Sequence, residues 1–193
     1  MADTKISALD AISAIATDDV LPIVDTSETA TKKITIAQLQ GQISAPYLMQ
    51  SDSTDQAIAA TNAAQVITFD TDVYHSGITR TSASRFTIPT AGTYLICFSG
   101  ITSCPTIGKI IEVWLRVNGV DVAASNTIYT YKGTNTTAIV AVSFLQTFTA
   151  NQYFEFWTWG DDTGCKWDAT AAGVTPTRPA CPSIIITCNR ISN

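Results

Sequence analysis

From residue 46 onward, apolar and polar side chains alternate with a period of two, which is the spacing of strands with one buried face. Turn residues such as Asn118-Gly119 separate the alternating runs and favour tight hairpins. Many short strands without intervening helices are typical of an all-β sandwich or barrel. The predicted strands cover residues 65–69, 85–88, 93–99, 110–117, 137–148, 152–159 and 183–190.

Two of these strands, 110–117 and 152–159, have an apolar face for the core and an outer face that mixes aromatic and charged residues. Exposed Trp and Tyr rings can stack on sugars or anchor a protein contact. We therefore expect a ligand-contact patch on this outer face; the alternative is that the loop 165–182 folds over the rings. The predicted ligand-contact residues are Trp114, Tyr153, Trp157 and Trp159.

Three other strands, 93–99, 138–145 and 184–188, are apolar or small on both faces. One face of a sheet in a sandwich is normally polar unless something covers it. A subunit interface on this sheet is the economical explanation, so the sequence predicts an oligomer.

The first 44 residues contain no aromatic residue and have little with which to build a core of their own. Two short strands are predicted, 20–24 and 33–36, and Pro22 assigns the first to a sheet edge because proline has no N–H to donate. Short helices are predicted near residue 8 and over 37–42. We expect an extended N-terminal arm, residues 1–44, followed by one β domain, residues 45–193.

Composition argues against two kinds of partner. The formal net charge is −5, which leaves no basic face for phosphates, so we expect no nucleic acid. No apolar run approaches the roughly 20 residues that span a bilayer, so we expect no membrane insertion. Charged residues make up 14% of the chain, where about 25% is usual. Such a surface indicates that much of it meets protein instead of water.

The cysteines form an odd set of five without a Cys-x-x-Cys pair, and His75 is the single histidine, which argues against zinc. The N-terminus has acidic residues and no long apolar segment, so we expect no export signal and a reducing cytoplasm. The expectation is therefore buried thiols; a bridge between Cys97 and Cys188 is the alternative.

We expect no enzyme activity and no cofactor. The sequence has no G-x-S-x-G elbow, P-loop or H-E-x-x-H motif. Glu112 and Glu155 are expected on outer strand faces, paired with Arg116, and not as the two acids of a glycosidase. The acidic pair Asp161-Asp162 could hold calcium, but two acids in a glycine-flanked segment usually form only a turn, so no metal site is expected.

The segment 86–98 fits the pattern F-x-x-P-x-x-G-x-Y-x-x-x-F, with Phe86, Pro89, Gly92, Tyr94 and Phe98 at its fixed positions. It resembles the C1q/TNF-like jelly rolls, and the segments 114–120 and 147–155 also look like strands and turns of that family. The resemblance covers about residues 47–193. It implies a ten-stranded jelly roll of which three copies surround a threefold axis. The interface residues that it implies are Leu95, Cys97, Val140, Val142, Ile185 and Thr187.

The arm fits a second pattern, K-I-S-x-L followed by a short strand and T-x-K-x-T-x-x-x-L, which ends at Leu39. It resembles the N-terminal segment of many phage fibre and head-associated proteins, in which this segment attaches the chain to the virion. The implied virion-docking residues are Ile6, Leu9, Leu21, Pro22, Ile23, Val24, Ile34, Ile36 and Leu39.

Together the two resemblances predict a bacteriophage structural protein, a short homotrimeric tail fibre or knob that its arm anchors to other virion proteins. We expect it in the virion, after assembly in the host cytoplasm, with a host cell-surface glycan as a candidate ligand. A capsid decoration protein and a carbohydrate-binding module are the alternatives. No heptad repeat or repetitive shaft separates arm and knob, so a compact protein is expected.

Overall fold

The computed structural model describes residues 15–25, 30–36, 39 and 45–192. The chain divides into two units, Met1–Ser44 and Ala45–Asn193, and each is described by itself. No helix in the described ranges is long and apolar enough to cross a membrane.

Strands are the main elements among the described residues of both units. Their bounds are β1 Val20–Asp25, β2 Ala30–Thr35, β3 Tyr47–Asp52, β4 Gln56–Ala57, β5 Gln65–Val66, β6 Thr71–Ser76, β7 Thr79–Arg80, β8 Phe86–Thr87, β9 Gly92–Cys104, β10 Ile110–Val117, β11 Val120–Asp121, β12 Thr127–Thr130, β13 Thr136–Phe148, β14 Tyr153–Gly160, β15 Lys166–Trp167, β16 Gly173–Val174, β17 Thr177–Arg178 and β18 Ile184–Ser192.

The second unit is a sandwich of two antiparallel sheets. Sheet I has the order β11-β10-β14-β8-β7, with β12 also paired to β10 and β5 to β14. Sheet II has the order β4-β15-β9-β18-β3-β6, with β13 on the other side of β9. The prediction of an all-β jelly-roll sandwich is confirmed, and β16 and β17 form a separate two-stranded hairpin.

Aromatic side chains from both sheets fill the space between them. Phe98 of sheet II lies 5.0 Å from Phe156 of sheet I, and Phe148 of sheet II lies 6.0 Å from Phe154 of sheet I, measured between ring centroids. Trp167 is fully buried among them and contacts Phe98 edge-on at 5.3 Å. Burying side chains of this size supplies most of the free energy that holds such a sandwich together.

Strict alternation located the long strands well. The predicted strand 110–117 coincides with β10, and 137–148 differs from β13 by one residue. The Asn118-Gly119 turn joins β10 to β11 with φ angles of 49° and 80°, the left-handed conformation that this residue pair favours. The predicted strand 65–69 is shorter, because only Gln65–Val66 pairs with β14.

Four strands of sheet II are absent from the predicted set: the six-residue strands β3 and β6 and the two-residue strands β4 and β15. In β3, Leu48, Gln50 and Asp52 all point to the buried side, so polar residues occupy core positions and conceal the alternation. The Asp52 carboxylate accepts hydrogen bonds from the backbone N–H of Thr54 at 2.8 Å and from its hydroxyl at 2.7 Å. These bonds offset the loss of water around the carboxylate.

Gln50 is different from Asp52. Its side chain is fully buried, and within the described part of the chain neither its amide nitrogen nor its amide oxygen has a hydrogen-bond partner. The half-buried Gln56 is the matched opposite: its amide donates to the carbonyl of Thr68 and accepts from the N–H of Thr68, each at 3.0 Å. A buried amide without partners costs about 1–3 kcal/mol.

We expect Gln50→Met to raise the free energy of unfolding by about 1 kcal/mol, because it removes an amide that makes no bond and keeps the volume filled. Gln56→Met should lower it by about 1–2 kcal/mol, because it leaves the Thr68 backbone unpaired. Urea unfolding of the two variants measures both changes. A loss of stability in Gln50→Met as large as that in Gln56→Met would contradict this assignment.

Candidate functional site

The outer face of sheet I carries a ladder of aromatic and charged side chains on two neighbouring strands. In the register of β10 and β14, Glu112 lies opposite Trp159, and Trp114 lies opposite Trp157. Their neighbours Ile111, Val113 and Leu115 on β10 point into the core, as the alternation predicts. The predicted ligand-contact residues therefore do share one face of one sheet.

All four predicted aromatic residues have partners within the protein, and two of the rings lie under a guanidinium group. The guanidinium carbon of Arg116 lies 3.9 Å from the ring centre of Trp157, and that of Arg85 lies 4.5 Å from the ring centre of Tyr153. The indole N–H of Trp159 donates to the carbonyl of Thr61 at 2.8 Å. The two rings that a guanidinium covers are poorer stacking platforms for a ligand than Trp114 and Trp159.

Trp114 is the one that borders a cleft. Its indole N–H donates to the carboxylate of Asp121 at 2.7 Å, which fixes the plane of the ring. The cleft has a volume of about 300 Å³, at the lower end of the size range of small-molecule sites. It is lined by Glu112, Trp114, Asp121, Val122, Ala124 and Asn126.

Ion pairing and hydrogen bonds set the charge of this cleft. The guanidinium of Arg116, 2.7 Å from Asp121, and the indole N–H of Trp114 hold the pKa of the Asp121 carboxyl below its ordinary value. Glu112 accepts a hydrogen bond from the amide of Asn126 at 2.7 Å. The cleft thus presents two carboxylates, of which one is neutralised by a cation.

The ion-pair partner of Glu155 differs from the one that the sequence predicted. It is 5% exposed and lies among donors, with the guanidinium of Arg85 at 2.9 Å and the hydroxyl of Ser84 at 3.2 Å. The predicted partner, Arg116, instead forms its ion pair with Asp121. Both carboxylates lie opposite Arg116 in the register, Asp121 on β11 and Glu155 on β14, and Arg116 bonds to Asp121 at 2.7 Å.

The outer face of sheet II is the second surface of interest, and its five long strands place no charged side chain on its central part. Cys97 lies opposite Thr187 of β18 and Ser143 of β13, and Thr187 in turn lies opposite Met49 of β3. Leu95 and Ile185 share this face and are half-buried. Four of the predicted interface residues therefore lie on one uncharged surface.

The other two predicted interface residues lie on the opposite side of β13. Val140 is 5% exposed and belongs to the core, and Val142 packs against the core. Their neighbours point outward: Ile139 is 70% exposed and Leu145 is 68% exposed. The sequence did not show which face of β13 points outward, because both faces of this strand are apolar.

The outer face of sheet II carries exposed aromatic side chains at its β3–β6 end, and these were not predicted. Tyr74 of β6 lies opposite Met49 of β3 and is 68% exposed, and Tyr47 is exposed two residues before Met49. At the other end, β13 pairs only with β9 among the described strands, so the second edge of this thirteen-residue strand is unpaired and carries no charged residue. Long apolar edges of this kind are normally covered.

The cysteines depart from the expectation of five thiols. Cys104 and Cys165 form a disulfide, because β15 pairs with the end of β9 and brings the two residues together. Cys97 and Cys188 are both free and cannot bridge in this register, since Cys97 points outward and Cys188 inward. Burial raises the pKa of the Cys188 thiol, and Cys181 is exposed.

The turn at Asp161-Asp162 uses its carboxylates locally. Asp161 accepts from the backbone N–H of Ile110, and Asp162 accepts from that of Gly164, each at 2.8 Å. The hydrogen bond from Gly164 lowers the pKa of Asp162. The described residues contain no cluster of three or more histidine, cysteine or acidic side chains that could hold a metal ion.

In the arm, β1 and β2 form a regular antiparallel hairpin from Val20 opposite Thr35 to Asp25 opposite Ala30. Of the predicted docking residues, Leu21, Pro22 and Ile23 are exposed, and Ile34, Ile36 and Leu39 are half-buried. Ile6 and Leu9 lie outside the described residues, as does the side chain of Val24. A two-stranded sheet with exposed apolar side chains is marginally stable unless it packs on something.

Comparison with known proteins gave matches only among solved structures. No protein-family model matches the chain, and no curated protein matches its sequence. Crystal structures of murine APRIL at pH 8.5 and at pH 5.0 match with TM-scores of 0.48 and 0.49 and sequence identities of 8% and 6%. Each match covers 77% of this chain and 100% of the other.

Because Asp121 is held ionised by its partners, we expect the indole N–H resonance of Trp114 to titrate with a midpoint below pH 3.8, the ordinary pKa of aspartate. Arg116→Met should move this midpoint upward, since Arg116 is the main cause of the lowered pKa. Two-dimensional ¹H–¹⁵N spectra recorded against pH measure both. The indole of Trp159, bound to a carbonyl, is the control that should not titrate.

Proposed function

We propose that the chain is a structural protein of a bacteriophage particle, a homotrimeric knob that its N-terminal arm attaches to other virion proteins, without enzyme activity. The observation that carries the proposal is the uncharged outer face of sheet II, which a free monomer would leave in water. The phage assignment is supported by the sequence pattern of the arm, and the trimeric knob by the pattern of the segment 86–98.

The two ends of this face have different shapes. The β13 end presents the aliphatic side chains Ile139 and Leu145, and the β3–β6 end presents Tyr47, Met49 and Tyr74. Packing one end against the other end of a second copy is a heterologous contact, which closes into a ring when the rotation fits. Three copies is the number implied by the resemblance to C1q/TNF-like jelly rolls.

A charge on this face should prevent assembly. We expect the wild-type chain to have three times the mass of a monomer by light scattering, and Ile139→Asp to have the mass of one, because the aspartate would have to be buried unpaired. Val174→Asp is the matched control, since Val174 is 86% exposed and lies in the β16–β17 hairpin, which pairs with neither sheet. A monomeric wild type would overturn the trimer.

Thiol reactivity gives an independent measure of the same face. Cys97 lies on it, whereas Cys181 is exposed elsewhere. In the assembled wild type, maleimide should modify Cys181 and spare Cys97, and in Ile139→Asp it should modify both. Modification of Cys97 at equal rates in the two proteins would contradict an interface there.

The arm hairpin is proposed to bind another virion protein through its exposed apolar side chains. Leu21 and Ile23 are 45% and 42% exposed on β1, and a groove beside them is lined by Ile15, Val20, Leu21 and Ile36 together with Asp19. Burying such side chains against a partner contributes about 1.5–3 kcal/mol each when burial is complete.

Virion attachment is tested in the phage that encodes the chain. We expect the wild-type chain in gradient-purified particles by immunoblot, and a Leu21→Asp, Ile23→Asp double variant to be missing from them while it still forms trimers. Val174→Asp should be incorporated normally. Absence of the wild-type chain from the particles, or normal incorporation of the double variant, would overturn the proposed attachment.

The position of the chain on the particle separates a tail fibre from a capsid decoration protein. Immunogold labelling of intact particles distinguishes the two, since label on the tail supports the fibre and label on the head supports decoration.

A released particle exists in an oxidising medium, in which a disulfide such as Cys104–Cys165 persists.

A further inference from the structure

The cleft beside Trp114 is a preformed hollow whose side chains are held in place before any ligand arrives. The guanidinium of Arg116 stacks on the ring of Trp157 and forms an ion pair with Asp121. The Asp121 carboxylate in turn accepts a hydrogen bond from the indole N–H of Trp114. Each contact restricts the next side chain, so the ring of Trp114 has a fixed plane. Fixed groups bind a ligand with less loss of conformational entropy than free ones.

The opposite wall of the cleft is also anchored. It is the loop between β11 and β12, and its buried Ser125 accepts from the backbone N–H of Leu115 at 3.1 Å and donates to the carbonyl of Val122 at 2.8 Å. Ala124 in this loop has a positive φ of 61°, which costs energy for a residue with a Cβ. The loop holds this conformation although an alanine disfavours it.

The chemistry of the lining selects the ligand. Trp114 offers an indole for the C–H face of a ring, Glu112 and Asp121 offer acceptors, and Asn126 adds an amide. Neutral sugars have this combination of an apolar ring face and hydroxyl groups that both donate and accept. Two carboxylates against one guanidinium repel acidic sugars and phosphate groups.

We propose that the Trp114 cleft binds a neutral pyranose unit of a glycan. The ring stacks on Trp114, and two of its hydroxyl groups donate to the carboxylates of Glu112 and Asp121. This inference rests on the proposed function, a knob displayed on the virion, and extends it to contact with a host-surface glycan. A simple ammonium ligand is disfavoured because Asp121 is already paired with Arg116.

Saturation-transfer NMR of the full-length chain tests this with the methyl glycosides of glucose, galactose, mannose and N-acetylglucosamine, and with galacturonate and choline as comparison ligands. We expect binding of at least one neutral glycoside and none of galacturonate. Binding should weaken at least tenfold in Trp114→Ala and about tenfold in Glu112→Gln, which loses a charged acceptor without a change of shape.

Trp159→Phe is the control, because Trp159 lies on the same face but bonds to Thr61 and does not line the cleft. It should bind as the wild type does. No binding of any neutral glycoside to the wild type, binding that Trp114→Ala and Glu112→Gln leave unchanged, or a preference for galacturonate or choline would overturn the proposal.

Two other measurements separate this inference from the proposed function. Light scattering reports the trimer and immunoblots of particles report attachment, and neither depends on the cleft. A trimeric virion protein without glycoside binding would overturn the cleft alone. A monomer absent from particles that still binds glycosides through Trp114 would overturn the virion role and leave a carbohydrate-binding module.

Discussion

The pairing of β9 with strands on both of its sides is the interaction on which the sandwich depends. Its thirteen residues pair with β13 along their whole length and with β18 from residue 93 to residue 100. Because successive side chains of a strand point to opposite faces, Ile96 and Phe98 enter the core while Leu95 and Cys97 form the outer face. A slip of one residue would exchange the two sets, so core packing and outer surface are fixed together.

Near the Cys104 end of β9, the packing of Trp167 on the strand depends on a single glycine. A Cβ on Gly100 would lie 2.6 Å from ring carbons of Trp167, so the indole packs directly on the backbone. The Cys104–Cys165 disulfide ties the same end and closes a loop with a sequence separation of 61 residues. In the chain-entropy description a bridge of that span destabilises the unfolded chain by about 4 kcal/mol. Trp167 is therefore a core residue.

Residues with regular alternation made the fold readable from the sequence, and residues that break it account for what was missed. β10 was predicted residue for residue because Ile111, Val113 and Leu115 alternate with polar neighbours. β3 was missed because Gln50 and Asp52 occupy its buried side. Of the residues that line the cleft, only Trp114 was predicted as a ligand contact. The Asn118-Gly119 turn encodes the hairpin that carries Asp121, whereas Asn126 reaches the cleft from a loop whose position no local pattern encodes.

The low charge of the chain has a location in the structure. Sheet I carries the charged residues Glu112, Arg116 and Glu155, and Arg85 lies beside its strand β8. The central outer face of sheet II carries no charged side chain. In a two-layer sandwich the outer faces of the two sheets point in opposite directions. If the proposed ring forms through sheet II, the Trp114 cleft of each copy remains on the outside. Three weak cleft contacts on one particle-bound knob would then act together, and avidity would replace the affinity that one shallow cleft cannot provide.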